Sequence, residues 1–172
     1  HSTGTGYYTT QDFTEILKYA NERHIRIIPE INVPGHSRAA IKAMEARYRR
    51  LMAEGNNEAA LEYRLADPND SSVYSSAQSY NDNVVCVALE SAYRFYETVV
   101  KDIKTIYDEA GIPFTFLHTG GDEVPRGVWA KSPECQKLLA QHPEIGNPQN
   151  LQSYYLGRLV EILKKYDLTL GG

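Results

Sequence analysis

The sequence lacks several features that would point to particular classes of protein. Its 172 residues contain only two cysteines, Cys86 and Cys135, and neither has a neighbouring Cys or His at metal-ligand spacing. Neither a disulfide framework nor a zinc site is therefore indicated. No run of about 18 apolar residues is present, so no membrane span is expected. The net charge is −4 and the lysines and arginines are scattered, which argues against nucleic acid as the partner.

The first residues, HSTGTGYY, also lack the basic and then apolar blocks of a secretory signal. If the protein is exported, its signal is expected to lie outside this chain. What the sequence does contain is 42% hydrophobic and 23% charged residues, the balance of a globular protein. Residues 1–172 are therefore expected to form a single unit.

Segments with helical and strand periodicity alternate along the chain, which predicts an α/β fold with a parallel sheet, because parallel neighbours need helical crossovers. Strands are predicted at 25–33, at 114–118 and in the LTLGG stretch at 168–172. Pro29 is expected to end the first strand, which would leave 30–36 as a loop. Residues 66–83 are polar and too long for a bare connection, so a functional or packing loop is expected there. The principal helices are predicted at 10–23, 37–54, from about 90 to 110, and in SPECQKLLAQH and NLQSYYLGRLVEILKKYD.

Two polar clusters follow predicted strands: PEINVPGH comes after the first and HTGGDE after the second. The loops after strand carboxyl ends form the active face of parallel α/β folds. His36, Asp122 and Glu123 are therefore expected at one edge. Adjacent residues of an extended strand point to opposite faces, so Gly120 and Gly121 are expected to turn the backbone and bring both acids to one ligand.

These residues resemble a known family. The stretch GYYTTQDFTEILKYANERHIRIIPEINVPGH, followed by HTGGDEVPRGVW, is similar to glycoside hydrolase family 20, the β-N-acetylhexosaminidases. The pair of strand-end motifs is more specific than either alone. The resemblance implies a (β/α)8 TIM barrel, of which this chain would hold about strands 3 to 5 with their helices. A full barrel needs about 250 residues, so 1–172 is expected to be a partial catalytic domain and not a closed barrel.

The resemblance also implies a reaction, the retaining hydrolysis of terminal non-reducing N-acetyl-β-hexosaminides of GlcNAc or GalNAc. The substrate's own 2-acetamido oxygen would attack the anomeric carbon. Glu123 would act as general acid and then base, while Asp122 would hold the acetamide N–H and stabilise the oxazolinium. A general acid must keep its proton near the working pH, and the negative charge of Asp122 favours a protonated Glu123. No cofactor and no metal are implied.

Four further residues are candidates for binding or orienting the substrate. By the resemblance, His36 would position the general acid through hydrogen bonds. His118 is expected to orient the glycine turn through a backbone bond, and Glu30 to accept a bond from His36 or from a sugar hydroxyl. Trp129 would either stack on the apolar face of a sugar or pack in the interior.

Two other classes of function stay open. One is a non-catalytic carbohydrate-binding module, and the other is a metal-dependent hydrolase using His36, His118, Asp122 and Glu123. The metal hypothesis is weaker, because a flexible glycine turn does not fix ligand geometry as a helix face does.

The family resemblance also implies a partner and a location. It implies N-acetylhexosamine-containing glycans as partners and a periplasmic, secreted or lysosomal location. Three strands leave two open sheet edges, so residues 1–172 alone are expected to self-associate and to be inactive.

Overall fold

The computed structural model describes residues 6–172. This range contains six α-helices, two short 3-10 helices and two strands. None of its helices is both long and apolar enough to cross a membrane. The helices are α1 (Thr10–Asn21), α2 (Arg38–Ala53), α3 (Asn57–Leu61), α4 (Glu90–Ala110), α5 (Pro133–Gln141) and α6 (Leu151–Lys164), the 3-10 helices are Pro143–Ile145 and Pro148–Asn150, and the strands are β1 (Phe116–His118) and β2 (Thr169–Gly171).

The two strands form a parallel pair, with Leu117 opposite Leu170. The connection between them runs through α5 and α6, which is the helical crossover that parallel strands require. Residues 29–33 form an extended segment on the other side of β1. This segment pairs with β1 in parallel through a bridge between Glu30 and His118. The mixed α/β architecture and the open parallel sheet confirm the α/β class with a parallel sheet that the alternating segments predict.

The first predicted strand was placed wrongly. Pairing begins at Pro29, whose carbonyl accepts from His118 N–H (3.1 Å), and continues where Ile31 N–H donates to the His118 carbonyl and Val33 N–H to the Thr119 carbonyl (both 2.9 Å). Proline has no N–H to donate, but its carbonyl still accepts, so it fits at the start of a pairing segment. Residues 25–28 were expected to be buried on both faces, yet Ile25 is 57% and Ile28 48% exposed.

Local signals explain where the helices begin and end. The Thr9 hydroxyl accepts from Asp12 N–H (3.1 Å) and the Asp12 carboxylate accepts from Thr9 N–H (2.8 Å), which is a capping box at the start of α1. The last residue after α4, Gly111, has a φ of 72°, a left-handed conformation that favours glycine at a helix end. These caps set where α1 begins and where α4 ends.

The core lies between the helices and the sheet. Helix α4 packs against α1 and α6, and α6 packs against β2. The inward face of α4 carries residues at spacings of three, four and seven, as expected for one helical stripe. The largest fully buried side chains of the core are Trp129, Tyr96, Tyr107, Tyr155, Leu17, Leu65, Leu117, Leu151, Leu159 and Leu163.

An apolar groove lies open beside α1, and we call it the N-terminal groove. Its lining includes Ile16 and Tyr19 of α1 and Ile25 and Ile27 of the following segment. Tyr19 is 61% exposed. Single exposed apolar side chains are ordinary on protein surfaces, but a contiguous set marks a surface that is suited to contact with another body.

Candidate active site

The loops after the extended segment 29–33 and after β1 meet at one edge of the sheet. His36 Nε2 lies 3.4 Å from Glu123 Oε2 and 3.7 Å from Asp122 Oδ2. A Cβ at Gly35 would be 3.2 Å from the Asp122 carbonyl oxygen, so the two backbones also approach closely. His36 and Asp122 are 86 residues apart in the sequence. The two loops thus bring one imidazole and two carboxylates together, as the sequence predicts.

The backbone of this edge is turned by the two glycines. Gly120 and Gly121 have φ values of 64° and 93°, and the turn continues through Glu123 at 52°, while His36 in the facing loop has a φ of 51°. Residues other than glycine rarely adopt this left-handed backbone conformation. Such strained residues persist where the surrounding structure holds them, and they cluster at functional sites. The expected role of the glycines in redirecting the chain between β1 and the acids fits these angles.

His36 presents an unsatisfied ring nitrogen to the two acids. Its Nε2 is shielded from solvent and has no hydrogen-bond partner among residues 6–172, although the side chain as a whole is 25% exposed. A buried polar atom without a partner is costly. A small approach of Glu123 or Asp122 would satisfy it, so His36 is placed to orient either carboxylate.

Asn32 is part of the site, and it was not among the residues expected there. Its Nδ2 donates to Asp122 Oδ1 (3.1 Å) and its Oδ1 accepts from Gly121 N–H (3.3 Å). The hydrogen bond from Asn32, followed by one from the backbone N–H of Asp122, lowers the pKa of the Asp122 carboxyl below its ordinary value. Asp122 is therefore held ionised. The period of two in an extended segment places Asn32 on the same face as Glu30, and this was the available signal.

Gln78 reaches the site from the polar loop 66–83. Its Nε2 donates to Glu123 Oε2 at 2.7 Å. The loop lies against the segment that follows the acids, where Ser72 Oγ accepts from Lys131 N–H (2.8 Å). The expectation of a functional or packing loop is thus met by a direct contact with Glu123, although no sequence pattern singled out Gln78.

His118 and Glu30 lie beside each other where β1 leads into the glycine turn. His118 Nδ1 accepts from Gly120 N–H (3.1 Å), which is the backbone bond expected of this histidine. A hydrogen bond from His36 to Glu30 was one of the two expectations for Glu30, and the structure does not show it. Instead, Glu30 Oε1 accepts from Asn32 (3.3 Å), and Glu30 Oε2 lies 3.4 Å from His118 Nδ1.

Trp129 is placed in the core. Its ring is 1% exposed and its Nε1 donates to the Val85 carbonyl at 2.9 Å. A ring in this position has no open face for a sugar, so of its two expected roles the structure favours interior packing. Loop tryptophans bury a large apolar area when their N–H has a partner, and the Val85 carbonyl supplies that partner.

The three central side chains also have the donor types of a metal site. His36, Asp122 and Glu123 each offer one atom within 4.8 Å of the others. One imidazole nitrogen and two carboxylate oxygens suit several divalent ions. His118, the fourth residue of the metal hypothesis, is not part of this set. An assay of the complete protein with and without a chelator therefore tests the metal hypothesis.

Carboxylates and a histidine at the carboxyl ends of neighbouring parallel segments, joined by helical crossovers, are the arrangement found at the active face of α/β folds. The comparison with known families identifies the family. A model described as "Glycosyl hydrolase family 20, catalytic domain" matches residues 1–171, and the chain belongs to this family.

Relatives and solved structures agree with this assignment. The chain is 45% identical over 170 residues to a β-hexosaminidase of Vibrio vulnificus, which covers 98% of this chain and 20% of that protein. A crystal structure of a GH20 exo-β-N-acetylglucosaminidase from Vibrio harveyi in complex with N-acetylglucosamine aligns with a TM-score of 0.75 at 36% identity, covering 96% of this chain and 22% of that one. A β-N-acetylhexosaminidase from Bacteroides fragilis aligns with a TM-score of 0.67 at 26% identity, covering 96% of this chain and 27% of that one. The chain thus spans about a fifth to a quarter of the proteins it matches.

Proposed function

We propose that the protein hydrolyses terminal non-reducing N-acetyl-β-hexosaminides with retention of configuration, and that this chain is part of the catalytic domain. The observation that carries the proposal is the convergence of Asp122, Glu123 and His36 at one edge of the sheet in a family 20 chain. The names of the relatives support the substrate class, since they include a β-hexosaminidase and an N,N'-diacetylchitobiase.

Asp122 is the residue that engages the substrate's acetamido group. When the acetamido oxygen attacks the anomeric carbon, positive charge develops on the oxazolinium ring, and a nearby fixed carboxylate stabilises it. The hydrogen bond from Asn32 Nδ2 engages Asp122 Oδ1 (3.1 Å), while Oδ2 lies 3.7 Å from His36 Nε2. Asn32 therefore fixes the orientation of the carboxylate, and Oδ2 is the oxygen that accepts from the acetamide N–H. The lowered pKa of Asp122 keeps it ionised at neutral and mildly acidic pH.

Glu123 is the proton donor to the departing oxygen and later the base that activates water. Its Oε2 is held by Gln78 (2.7 Å) and faces His36 Nε2 (3.4 Å). Oε1 is then the oxygen left to face the leaving group. A donor must lie within hydrogen-bond reach of the atom it protonates, and two contacts on the other oxygen restrict where Oε1 points.

We further propose that the chain corresponds to about strands 3 to 5 of a (β/α)8 barrel. The segment 29–33, β1 and β2 lie in this order in a parallel sheet, and barrel sites are built at the carboxyl ends of such strands. Catalysis also needs the sugar held by a complete pocket. Residues 1–172 alone are therefore expected to show no useful turnover and to self-associate through exposed apolar surface.

The test is an assay of the complete protein that contains this chain, with an aryl N-acetyl-β-glucosaminide as substrate. We expect turnover that a chelator does not change, and NMR should show the β-anomer as the first product. The matched control is the corresponding aryl β-glucoside, which lacks the acetamido group and should not be cleaved. An α-anomer as first product, or cleavage of the glucoside at a similar rate, would overturn the substrate-assisted mechanism.

The same assay separates the two alternatives. Loss of turnover with chelator, restored by a divalent ion, would favour metal-dependent hydrolysis by His36, Asp122 and Glu123. Binding of N-acetylglucosamine without any turnover would favour a carbohydrate-binding module. Residues 1–172 alone should be measured beside the complete protein, with a Glu123→Gln version as the blank and light scattering to give the mass.

A further inference from the structure

Two buried thiols lie side by side in the core. Cys86 Sγ and Cys135 Sγ are 3.8 Å apart, although the two residues are 49 positions apart in the chain. Cys86 is 3% and Cys135 0% exposed. Both are free cysteines. Neither cysteine lies in a spacing pattern that would predict their pairing.

Hydrogen bonds that do not involve the sulfurs hold the two thiols in this position. Cys86 N–H donates to the Leu65 carbonyl (2.8 Å), and Cys135 N–H donates to Ser132 Oγ (3.2 Å). Ser132 Oγ in turn donates to Asp67 Oδ2 at 2.6 Å. The stretch around residues 65–67 therefore contacts both thiol-bearing segments. This framework holds the backbones of the two cysteines close to each other.

The segment that carries Cys86 supports the loop that carries His36. Val85 N–H donates to the Pro34 carbonyl (2.9 Å), and Ser37 N–H donates to the Asn83 carbonyl (3.0 Å). These bonds flank His36 on both sides. Any constraint that fixes residues 83–86 is therefore transmitted directly to the loop holding the imidazole.

We propose that Cys86 and Cys135 form a disulfide under oxidising conditions and that this bond braces the loop holding His36. A disulfide brings its sulfurs to about 2.05 Å, which buried side chains with adjacent sulfurs reach by a shift of less than about 2 Å. The link would close a loop of about 50 residues, and loops of this size give substantial stabilisation by restricting the unfolded chain.

The chemistry balances with a small-molecule disulfide such as oxidised glutathione. One cysteine thiolate attacks a glutathione sulfur and forms a mixed disulfide, and one glutathione thiolate leaves. The second cysteine thiolate attacks the mixed disulfide and releases the other glutathione. The two cysteines lose two protons and two electrons, and one oxidised glutathione becomes two reduced molecules.

Burial determines when this exchange takes place. The hydrogen bond between the two thiols raises the pKa of Cys86 and lowers that of Cys135. Both sulfurs are removed from solvent, so a glutathione molecule does not reach either thiol in the folded chain. The folded, reduced pair is therefore poorly reactive, and the disulfide forms while the chain folds. This inference does not depend on the proposed activity, because its test reads the cysteines themselves.

The experiment is oxidative refolding of the complete protein, followed by peptide mapping. The reduced protein is unfolded, refolded in a glutathione redox buffer, alkylated with iodoacetamide and digested with trypsin. Cleavage at Lys and Arg places Cys86 in peptide 65–94 and Cys135 in peptide 132–137. We expect the two peptides to appear mainly as one linked species that a reductant separates.

Thermal unfolding provides the second readout. The refolded protein should lose about 5 to 15 °C in Tm when reduced, whereas a Cys86→Ser/Cys135→Ser variant should show no effect of the reductant. A Cys86→Ala/Cys135→Ala variant serves if the serine variant fails to fold. Recovery of both cysteines as separate alkylated peptides, links to other cysteines, or a Tm unchanged by reductant would each overturn the proposal.

Discussion

The candidate active site and the N-terminal groove are both open surfaces, but they are built in opposite ways. At the site, polar side chains from three segments contact one another, and the backbone is strained at His36 and Glu123. The groove beside α1 is apolar, and its residues Tyr19 and Ile25 are more than half exposed. Strain and cross-linked polar groups are typical of a site that must hold a geometry. Bare apolar area is typical of a surface that another body covers.

The comparison has a simple consequence for experiments. Substitutions at the site should change the rate of the reaction in the complete protein and leave the association of residues 1–172 unchanged. Substitutions in the groove should do the reverse.

Removal of the proton donor is expected to have the largest effect. Glu123→Gln in the complete protein should slow substrates with poor leaving groups by about 10² to 10⁴-fold. Activated aryl substrates should lose much less, because their leaving groups need little protonation. The measurement is kcat/KM for both substrate types with the same enzyme preparation. Equal losses on the two substrates would remove Glu123 from the role of general acid.

Loss of the charge at Asp122 is expected to come next. Asp122→Asn should lower kcat by about 10² to 10³-fold on both substrate types, since a neutral amide does not balance the charge of the oxazolinium. KM should change less than kcat. Steady-state kinetics on the pair of substrates used for Glu123 give the comparison. A near-normal kcat would show that the acetamido group is not assisted by this carboxylate.

The sequence alone predicted most of the architecture and the meeting of the two loops, because periodicity and the position of strand ends have physical signatures. It did not reveal Gln78 or Asn32. Their bonds to Glu123 and Asp122 span 45 and 90 residues, and a side-chain contact across that distance depends on loop conformations that leave no periodic trace. The pairing of 29–33 was predicted wrongly for a different reason. Proline was taken to end a strand because it lacks an N–H, but the Pro29 carbonyl still accepts a hydrogen bond from β1.

A smaller effect is expected at Asn32, and it has a distinctive pH signature. Asn32→Ala should lower kcat about tenfold, the scale of one hydrogen bond to a charged group. The Asn32 bond lowers the pKa of Asp122, so its removal should raise that pKa. As the pH is lowered, Asp122 then becomes protonated at a higher pH than in the unaltered protein. The acid limb of the kcat profile should therefore shift to higher pH. His36 and His118 also face Asp122, and their positive charge, like the Asn32 bond, lowers the pKa of Asp122.

The matched control for Asn32 is Gln152→Ala. Gln152 Nε2 donates to the Gly121 carbonyl (2.5 Å) and so supports the same turn without contacting the carboxylate. It should reduce activity without moving the acid limb. An identical shift in both variants would mean that Asn32 acts only by shaping the turn.

The smallest effect on rate is expected in the groove. Ile25→Lys should reduce the self-association of residues 1–172, because a charge in an apolar contact is costly to bury. Leu61→Lys, at a site 51% exposed on α3, is the matched control and should leave the mass unchanged. Light scattering over a concentration series measures both. Equal behaviour of the two variants would show that the N-terminal groove is not the associating surface.

Gly120 lies between the sheet and the site, and its close approach to Asn32 couples the substitutions that these two positions can accept. A Cβ at this position would overlap the side-chain amide of Asn32, and the φ of 64° penalises any other residue in addition. Replacing Gly120 by alanine would therefore cost less in a chain whose residue 32 is already small. The two positions are epistatic: their effects on stability would not add, and the order in which substitutions arose at them would decide which intermediates survived.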